Sequence, residues 1–158
     1  MFEVFDNKIN YSDEFIKYQY YLEVKNLLKI CYENKYIFEE NIINSVFRSA
    51  CSIGHIEITQ WLYSLGDVNI HIKDEHAFRN ACLNGHIEIA KWLYSLGDVN
   101  IHAYNEEAFR LACWNGHIEI VKWLYSLGDV NIHACDEEAL RYACDHGHIE
   151  IAKWLYSL

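Results

Sequence analysis

Apolar and polar positions recur along most of the chain with one fixed period. A Cys followed three residues later by Gly-His returns at Cys51, Cys82, Cys113 and Cys144, at a constant spacing of 31 residues. A period of this length is typical of solenoids, in which each unit packs only against its neighbours. The sequence therefore predicts a linear stack of similar units.

Each Gly-His pair is preceded by one helical pattern, the first helix of the unit, and followed by another, the second helix. In the third unit, the apolar positions of the second helix are Ile118, Ile120, Val121, Leu124 and Leu127. Such a helix must be covered over most of its circumference. Glu119 and Lys122 lie one turn apart on its narrow polar stripe, and we expect them to form a weak ion pair.

The first helix of the third unit is predicted from about residue 106 to residue 115. We expect Asn105 as its N-cap, and Asp74 and Asp136 fill the same position in other units. All seven glycines fall where a first or a second helix ends, a position that favours left-handed backbone. Residues 128 to 133 combine turn formers with β-branched residues, which indicates a short extended connection to the next unit.

Composition narrows the classes of partner. The chain has 158 residues, of which 52% are hydrophobic and 23% charged, so it has enough apolar content to bury a core. Its net charge of −10 is repelled by phosphate groups. We therefore expect no binding to nucleic acid or to anionic membranes, and we favour a protein partner, in particular one with a basic surface.

The start of the sequence lacks the basic and apolar pattern of a secretory signal, and no stretch reaches the length of a transmembrane helix. We expect the protein in the cytoplasm or the nucleus.

The cysteines of the repeated position would stand roughly 8 to 10 Å apart in stacked units, which is too far for disulfides. These cysteines are therefore expected in the core.

The repetition of the chemically active residues argues against catalysis and metal binding. Histidines occupy repeated positions several ångströms apart, whereas zinc needs ligands that converge at about 2.0 to 2.1 Å. Cys31 and Cys135 lie outside the repeated cysteine position, but neither has neighbours that would activate a thiol. We expect no metal, no cofactor and no enzymatic activity.

At the level of motifs, the unit resembles the ankyrin repeat. The matching residues of the third unit are Ala112, Cys113, Gly116, His117, Val121, Leu124, Gly128, Asp129, Val130 and Asn131. Residues 107 to 110 read Glu-Ala-Phe-Arg where the family has Thr-Pro-Leu-His, and the chain contains no proline. The resemblance implies an all-α solenoid of helix-turn-helix units with short extended fingers. It also implies that the Gly-His histidines bond to backbone groups at the junctions.

The resemblance covers residues 41–158, with units at about 43–73, 74–104, 105–135 and a truncated unit at 136–158. Residues 1–40 are expected to form a degenerate N-terminal cap. The last unit ends with the apolar residues Trp154, Leu155, Tyr156 and Leu158. We expect this unit either to fray or to mediate self-association.

Near-identical, divergent units of this kind resemble the ankyrin proteins of giant DNA viruses. That resemblance implies a location in the cytoplasm of a host cell and a host protein as the partner.

Positions that differ between near-identical units are those that packing does not dictate. In an ankyrin stack the first helices and the fingers line the concave groove, so we expect a partner to bind at the variable positions there. The candidate partner-binding residues are Lys73, Asn80, Leu83, Tyr104, Leu111, Trp114, Tyr142 and Asp145. Neutral variation on an exposed face is the alternative. Leu111, Trp114 and Tyr142 favour binding, because large apolar groups on adjacent units can form a hot spot.

Two functions are consistent with the sequence. The resemblance implies a non-enzymatic scaffold or adaptor that binds a protein through the concave face of the stack. The alternative is a structural or self-associating repeat protein, or a decayed gene copy, that uses the C-terminal face.

Overall fold

The structure is a computed structural model that describes residues 40–158, with side chains from residue 43 onward. Within this range the chain forms eight helices and no strand. They are α1 (Glu40–Ile53), α2 (Ile56–Ser64), α3 (Ile72–Leu83), α4 (Ile87–Ser95), α5 (Ala103–Trp114), α6 (Ile118–Ser126), α7 (Ala134–Asp145) and α8 (Ile149–Tyr156). The all-α solenoid is confirmed, although the connections form no strand in this range. The expected N-terminal cap and Cys31 lie outside the described residues.

The helices form two rows. The first helices α1, α3, α5 and α7 contact one another over much of their lengths, whereas the second helices of consecutive units meet at only a few residues. The first helices therefore form the more closely packed row of the stack.

Each first helix is closed by a glycine in the left-handed region. At the end of α3, Gly85 has φ of 83° and its N–H bonds to the Cys82 carbonyl at 3.4 Å. The N–H of His86 bonds to the Ala81 carbonyl at 2.9 Å, which completes a Schellman motif. All seven glycines have positive φ, so the prediction for them is confirmed.

The core repeats with the units. Phe47, Phe78 and Phe109 are each 1% exposed, and the ring of Phe78 lies 6.2 Å from the ring of Trp123 on a second helix of the next unit. Burying such aromatic side chains between units makes the interfaces, rather than the single units, the source of stability.

The cysteines of the repeated position follow the prediction in three units out of the four. Cys51, Cys82 and Cys113 are buried, but Cys144 is exposed. The prediction for Cys144 is wrong because, within residues 40–158, no helix packs on that side of α7.

The predicted ion pair between Glu119 and Lys122 is also wrong. Lys122 Nζ lies 3.2 Å from Oε1 of Glu150, so the pair joins two second helices instead of staying within one. Both side chains are largely exposed, and a pair of this kind contributes little to stability.

Candidate functional site

Three of the first helices, α3, α5 and α7, begin with a left-handed turn, which shapes the surface between units. In α5, Tyr104, Asn105 and Glu106 have φ of 54°, 55° and 64°, and the right-handed helix follows them. The equivalent residues of α3 and α7 have the same conformation. The predicted N-caps Asn105, Asp74 and Asp136 are therefore wrong, because an N-cap residue has extended backbone and these residues lie inside the turn.

An arginine of the same helix stabilises this turn. Left-handed backbone costs about 1–2 kcal/mol per residue for residues other than glycine. In α5, Arg110 Nε donates to the Asn105 carbonyl at 2.8 Å and Nη2 donates to the Tyr104 carbonyl at 2.9 Å. Arg79 bonds the equivalent carbonyls of α3 at 2.9 Å. The sequence pattern did not predict this role, although arginine occupies the same position in each unit.

The same arginines connect successive units. Arg79 forms an ion pair with Glu107 of the next first helix, and Arg110 pairs in the same way with Glu138. The arginine side chains are only 12% exposed, so these pairs are screened less than surface pairs. They hold neighbouring turns in a fixed relation.

A buried glutamate connects each of the turns of α3 and α5 to the connection that follows it. Glu106 and its counterpart Glu75 are each 6% exposed. In the third unit, Oε1 of Glu106 lies 2.9 Å from His102 Nδ1 and accepts a hydrogen bond from the backbone N–H of Asn131 at 3.4 Å. The carboxylate therefore has polar partners from its own unit and from the next connection, as a buried charge requires.

The Gly-His histidines join each unit to the preceding one. Nε2 of His117 donates to the Leu83 carbonyl oxygen at 3.1 Å, and His86 and His148 make equivalent bonds at 3.0 and 2.7 Å. The junction role that the resemblance implied is confirmed. Burial lowers the pKa of His117, and the neighbouring imidazoles lower it further, whereas the bond to the Leu83 carbonyl acts in the opposite direction.

The predicted partner-binding residues lie in two places. Lys73 and Tyr104 lie in the left-handed turns and are exposed, Tyr104 to 55%. The others lie in the C-terminal halves of the first helices, where Asn80, Leu83, Leu111 and Tyr142 are half-buried and Trp114 and Asp145 are exposed. The two groups are therefore at opposite ends of the first helices.

The structure brings Trp114 and Tyr142 together. Their ring centroids are 4.6 Å apart, and the His146 ring lies 4.8 Å from that of Trp114. We call these three residues the aromatic patch. Trp114 stays 39% exposed in it, and Leu111 lies one turn before Trp114 on α5. His146 was not among the predicted binding residues, although it occupies a position that differs between units.

The remaining predicted residues with described contacts have partners within the stack. The Tyr104 hydroxyl donates to Oδ2 of Asp74 at 2.9 Å, and the Arg79 guanidinium lies 4.5 Å from the centroid of the Tyr104 ring. The Asn80 amide lies 3.1 Å from Nδ1 of His76 in the same helix. Because their contacts lie elsewhere in the stack, Tyr104 and Asn80 are not part of the aromatic patch.

The buried thiols are poor nucleophiles. Burial raises the pKa of Cys51 and of Cys113 to about 12, and burial also raises the pKa of Cys82. These thiols are protonated at neutral pH, whereas a reactive cysteine needs a lowered pKa. The repeated cysteine position therefore supports packing rather than catalysis.

Residues 40–158 lack two further features. This range contains no group of three or more His, Cys, Asp or Glu side chains that could hold a metal ion. It also contains no helix with the length and apolar character needed to cross a membrane.

The repeat region matches one known protein family. The family described as "Ankyrin repeats (3 copies)" matches residues 24–134 and, in a second overlapping match, residues 104–158. The matches include the left-handed turns and the aromatic patch. No curated protein matches the chain.

Proposed function

Because the chain belongs to the ankyrin-repeat family, we propose that it is a non-enzymatic adaptor that binds a protein partner across its row of first helices. Ankyrin repeats generally mediate protein–protein interaction. The observation that supports this surface is the position of the variable residues. In units that are otherwise nearly identical, these residues lie on the first helices and include the exposed aromatic patch.

The aromatic patch has the composition of a binding hot spot. Tryptophan and tyrosine are enriched among residues that carry most of the energy of an interface. Trp114 already contacts Tyr142 on one side, so a partner side chain would bury the remaining exposed part of a ring that is held in place. Loss of such an anchor typically weakens binding by about 2 kcal/mol or more.

Charge selects the kind of partner. The chain carries a net charge of −10. Asp145 is exposed on α7 and directly precedes His146 of the aromatic patch in the sequence. A basic protein surface would be attracted to this region, and the attraction would raise the association rate most at low salt. On the resemblance to giant-virus ankyrin proteins, we propose a host protein in the host cytoplasm as the partner.

The stack is built for rigid presentation. The pair of Arg110 with Glu138 fixes α5 against α7, the helices that carry Trp114 and Tyr142, and the bond from His148 to the Trp114 carbonyl joins α5 to the start of α8. A surface that is already ordered loses little conformational entropy on binding. Modest contacts can then give specific affinity.

The test is affinity capture from host-cell lysate with two matched variants. The first carries Leu111→Glu, Trp114→Glu and Tyr142→Glu on the first helices. The second carries Tyr94→Glu and Tyr125→Glu on the second helices, where these tyrosines are 39% and 38% exposed, close to the exposure of Trp114. Circular dichroism should show that both variants are folded before the capture.

A protein that the wild type and the second variant retain, but that the first variant loses, supports the proposal. A protein that both variants retain contradicts the proposed surface. If neither the wild type nor the variants retain a protein, the alternative of self-association or a decayed gene copy gains weight. Light scattering over a range of concentrations separates these two, because a self-associating chain increases in mass as concentration rises.

A further inference from the structure

Two successive interfaces between units carry different residues at one equivalent position. Tyr104 is the second residue of α5 and Cys135 is the second residue of α7. Both lie in the left-handed turn, with φ of 54° and 55°. Because the backbone conformation is shared, the two interfaces differ at this position in the side chain alone.

At the earlier interface the chain binds its own tyrosine. The Tyr104 hydroxyl donates to Oδ2 of Asp74 at 2.9 Å, and the Arg79 guanidinium lies 4.5 Å from the ring centroid. The hydrogen bond to Asp74 raises the pKa of the Tyr104 phenol, so the phenol remains a donor. A carboxylate acceptor and a cation near the ring therefore recognise a phenol side chain here.

At the later interface a pocket of about 460 Å³ lies beside the residues that correspond to Tyr104 and Asp74. It is lined by His102, Asn105, Glu106, Asn131, Ala134 and Cys135. Asn105 is the counterpart of Asp74, and Cys135 is the counterpart of Tyr104. The guanidinium of Arg110 is fixed by two turn carbonyls at 2.8 and 2.9 Å, as that of Arg79 is in the earlier unit.

The charges around the pocket disfavour an acidic occupant. Both carboxylate oxygens of Glu106 lie within 3.1 Å of His102 Nδ1, so the buried negative charge has a partner and does not select a cation. Asp136 and Glu137 follow Cys135 in the turn and would repel an acidic side chain. A neutral, aromatic group with a hydroxyl fits best.

The geometry points to the pocket lined by Asn105, Asn131 and Cys135 as a receptor for a tyrosine side chain of the protein partner. The phenol would donate to the Asn105 side-chain oxygen, as the hydroxyl of Tyr104 donates to Asp74. This inference rests on the proposed function for the source of the tyrosine. The pocket itself can be tested with small probes that need no partner.

The chain provides a reporter inside the pocket and a reference outside it. Cys135 and Cys144 are both exposed, and only Cys135 lines the pocket. The rates of alkylation by iodoacetamide at the two cysteines can be followed by peptide mass spectrometry, with and without N-acetyl-L-tyrosinamide. A small ligand with a dissociation constant of about 10 mM, added at about 10 mM, occupies half of the sites. We expect alkylation of Cys135 to slow by about twofold or more and that of Cys144 to stay unchanged.

Selectivity and position are tested with matched probes and variants. N-acetyl-L-phenylalaninamide should protect Cys135 less, and N-acetyl-L-leucinamide should not protect it. Asn105→Gly keeps the left-handed backbone and removes the hydrogen-bond acceptor, so it should abolish the difference between the tyrosine and phenylalanine probes. Tyr104→Cys opens the equivalent site at the earlier interface, and the new thiol should be protected by the tyrosine probe as well.

Equal effects of the three amides on Cys135, or equal effects on Cys135 and Cys144, would overturn the inference, as would the absence of any protection. Each variant is checked by circular dichroism first, and the wild-type comparison of Cys135 with Cys144 decides even if a variant is unfolded. Failure of this test leaves the proposed binding across the first helices standing, because that proposal is tested at the aromatic patch.

Discussion

The second helices and the exposed face of the first helices differ in what determines their sequences. The helices α4 and α6 differ only at Ala90 and Val121. By contrast, α3 and α5 differ at several positions, and Asn80 in one corresponds to Leu111 in the other. The two rows have the same number of units and the same spacing, so the difference comes from the structural or binding constraints on each position.

Packing accounts for the constancy of the second helices. Their buried residues fill the space between the rows, and even exposed members have partners in the stack. Tyr125, for example, is 38% exposed, but its ring lies edge-on to that of Trp154 at 5.2 Å. On the first helices, only one face is fixed in this way. The residues of the other face can vary without loss of packing, so binding to a partner can determine which residues occur there.

The largest expected effect contrasts the two faces of α5. Phe109 is 1% exposed, so Phe109→Ala should destabilise the protein by about 3–5 kcal/mol through the loss of burial and the cavity it leaves. Leu111→Ala, on the half-buried variable face of the same helix, should cost about 1 kcal/mol. Urea unfolding followed by circular dichroism measures both. Equal losses would show that packing determines both faces.

The next effect tests the junction between units. A Cβ atom at Gly116, where φ is 80°, would lie 2.6 Å from ring atoms of His148. Gly116→Ala should cost about 2–4 kcal/mol, because it combines backbone strain with displacement of the imidazole. Gly97 has φ of 97° and no atom within 4 Å of the added Cβ, so Gly97→Ala should cost only about 1–2 kcal/mol.

Thermal or urea unfolding of the two glycine variants measures this difference. If Gly97→Ala is as damaging as Gly116→Ala, the contact between glycine and histidine does not contribute to the junction.

A smaller effect appears as a dependence of stability on pH. The pKa of His117 lies below its ordinary value of 6.5 in the folded state. The unfolded state therefore binds more protons in this range, and the stability contributed by neutral His117 is present above about pH 6.5. It is lost as the pH falls from there through the lower folded pKa.

His117→Gln removes this titration and can still donate to the Leu83 carbonyl. The difference in unfolding free energy between the wild type and the variant should therefore shrink as the pH falls from about 7 to about 5. A difference that stays constant over this range would contradict the account of the junction histidine.

The smallest effect belongs to the exposed pair between second helices. Lys122 and Glu150 are 47% and 70% exposed, so Lys122→Ala should change the free energy of unfolding by less than about 1 kcal/mol. The loss should disappear at high salt. A loss comparable to that of Phe109→Ala would mean that the second helices are held together in a different way.

The sequence predicted features that follow from periodicity. The constant spacing of the Gly-His pairs located both helices of each unit, and the glycines predicted the left-handed helix ends. The burial of Cys51, Cys82 and Cys113 also followed, because equivalent positions of stacked units share their surroundings.

The sequence did not predict features that arise between units. The left-handed turn at Asn105 resembled an ordinary helix start, because the stabilising bonds come from Arg110, five residues away. The pair of Lys122 with Glu150 depends on how far the second helices lie apart, which spacing within one unit does not give. For Trp114 and Tyr142, the sequence predicted only that two variable positions of adjacent units lie near each other. It did not predict that the two rings are in contact.

The division of the chain at residue 40 and the binding roles of the candidate residues stay predictions. Both depend on groups other than the described stack, namely the residues before position 40 and a partner.

The central claim is that the variable face of the first helices binds the partner while the second helices act as scaffold. Hydrogen exchange of the chain, measured by mass spectrometry with and without the captured partner, tests it most directly. The account predicts slower exchange in the C-terminal halves of α5 and α7, around Trp114 and Tyr142, and unchanged exchange in α4 and α6. Protection confined to α4 and α6, with α5 and α7 unchanged, would contradict it.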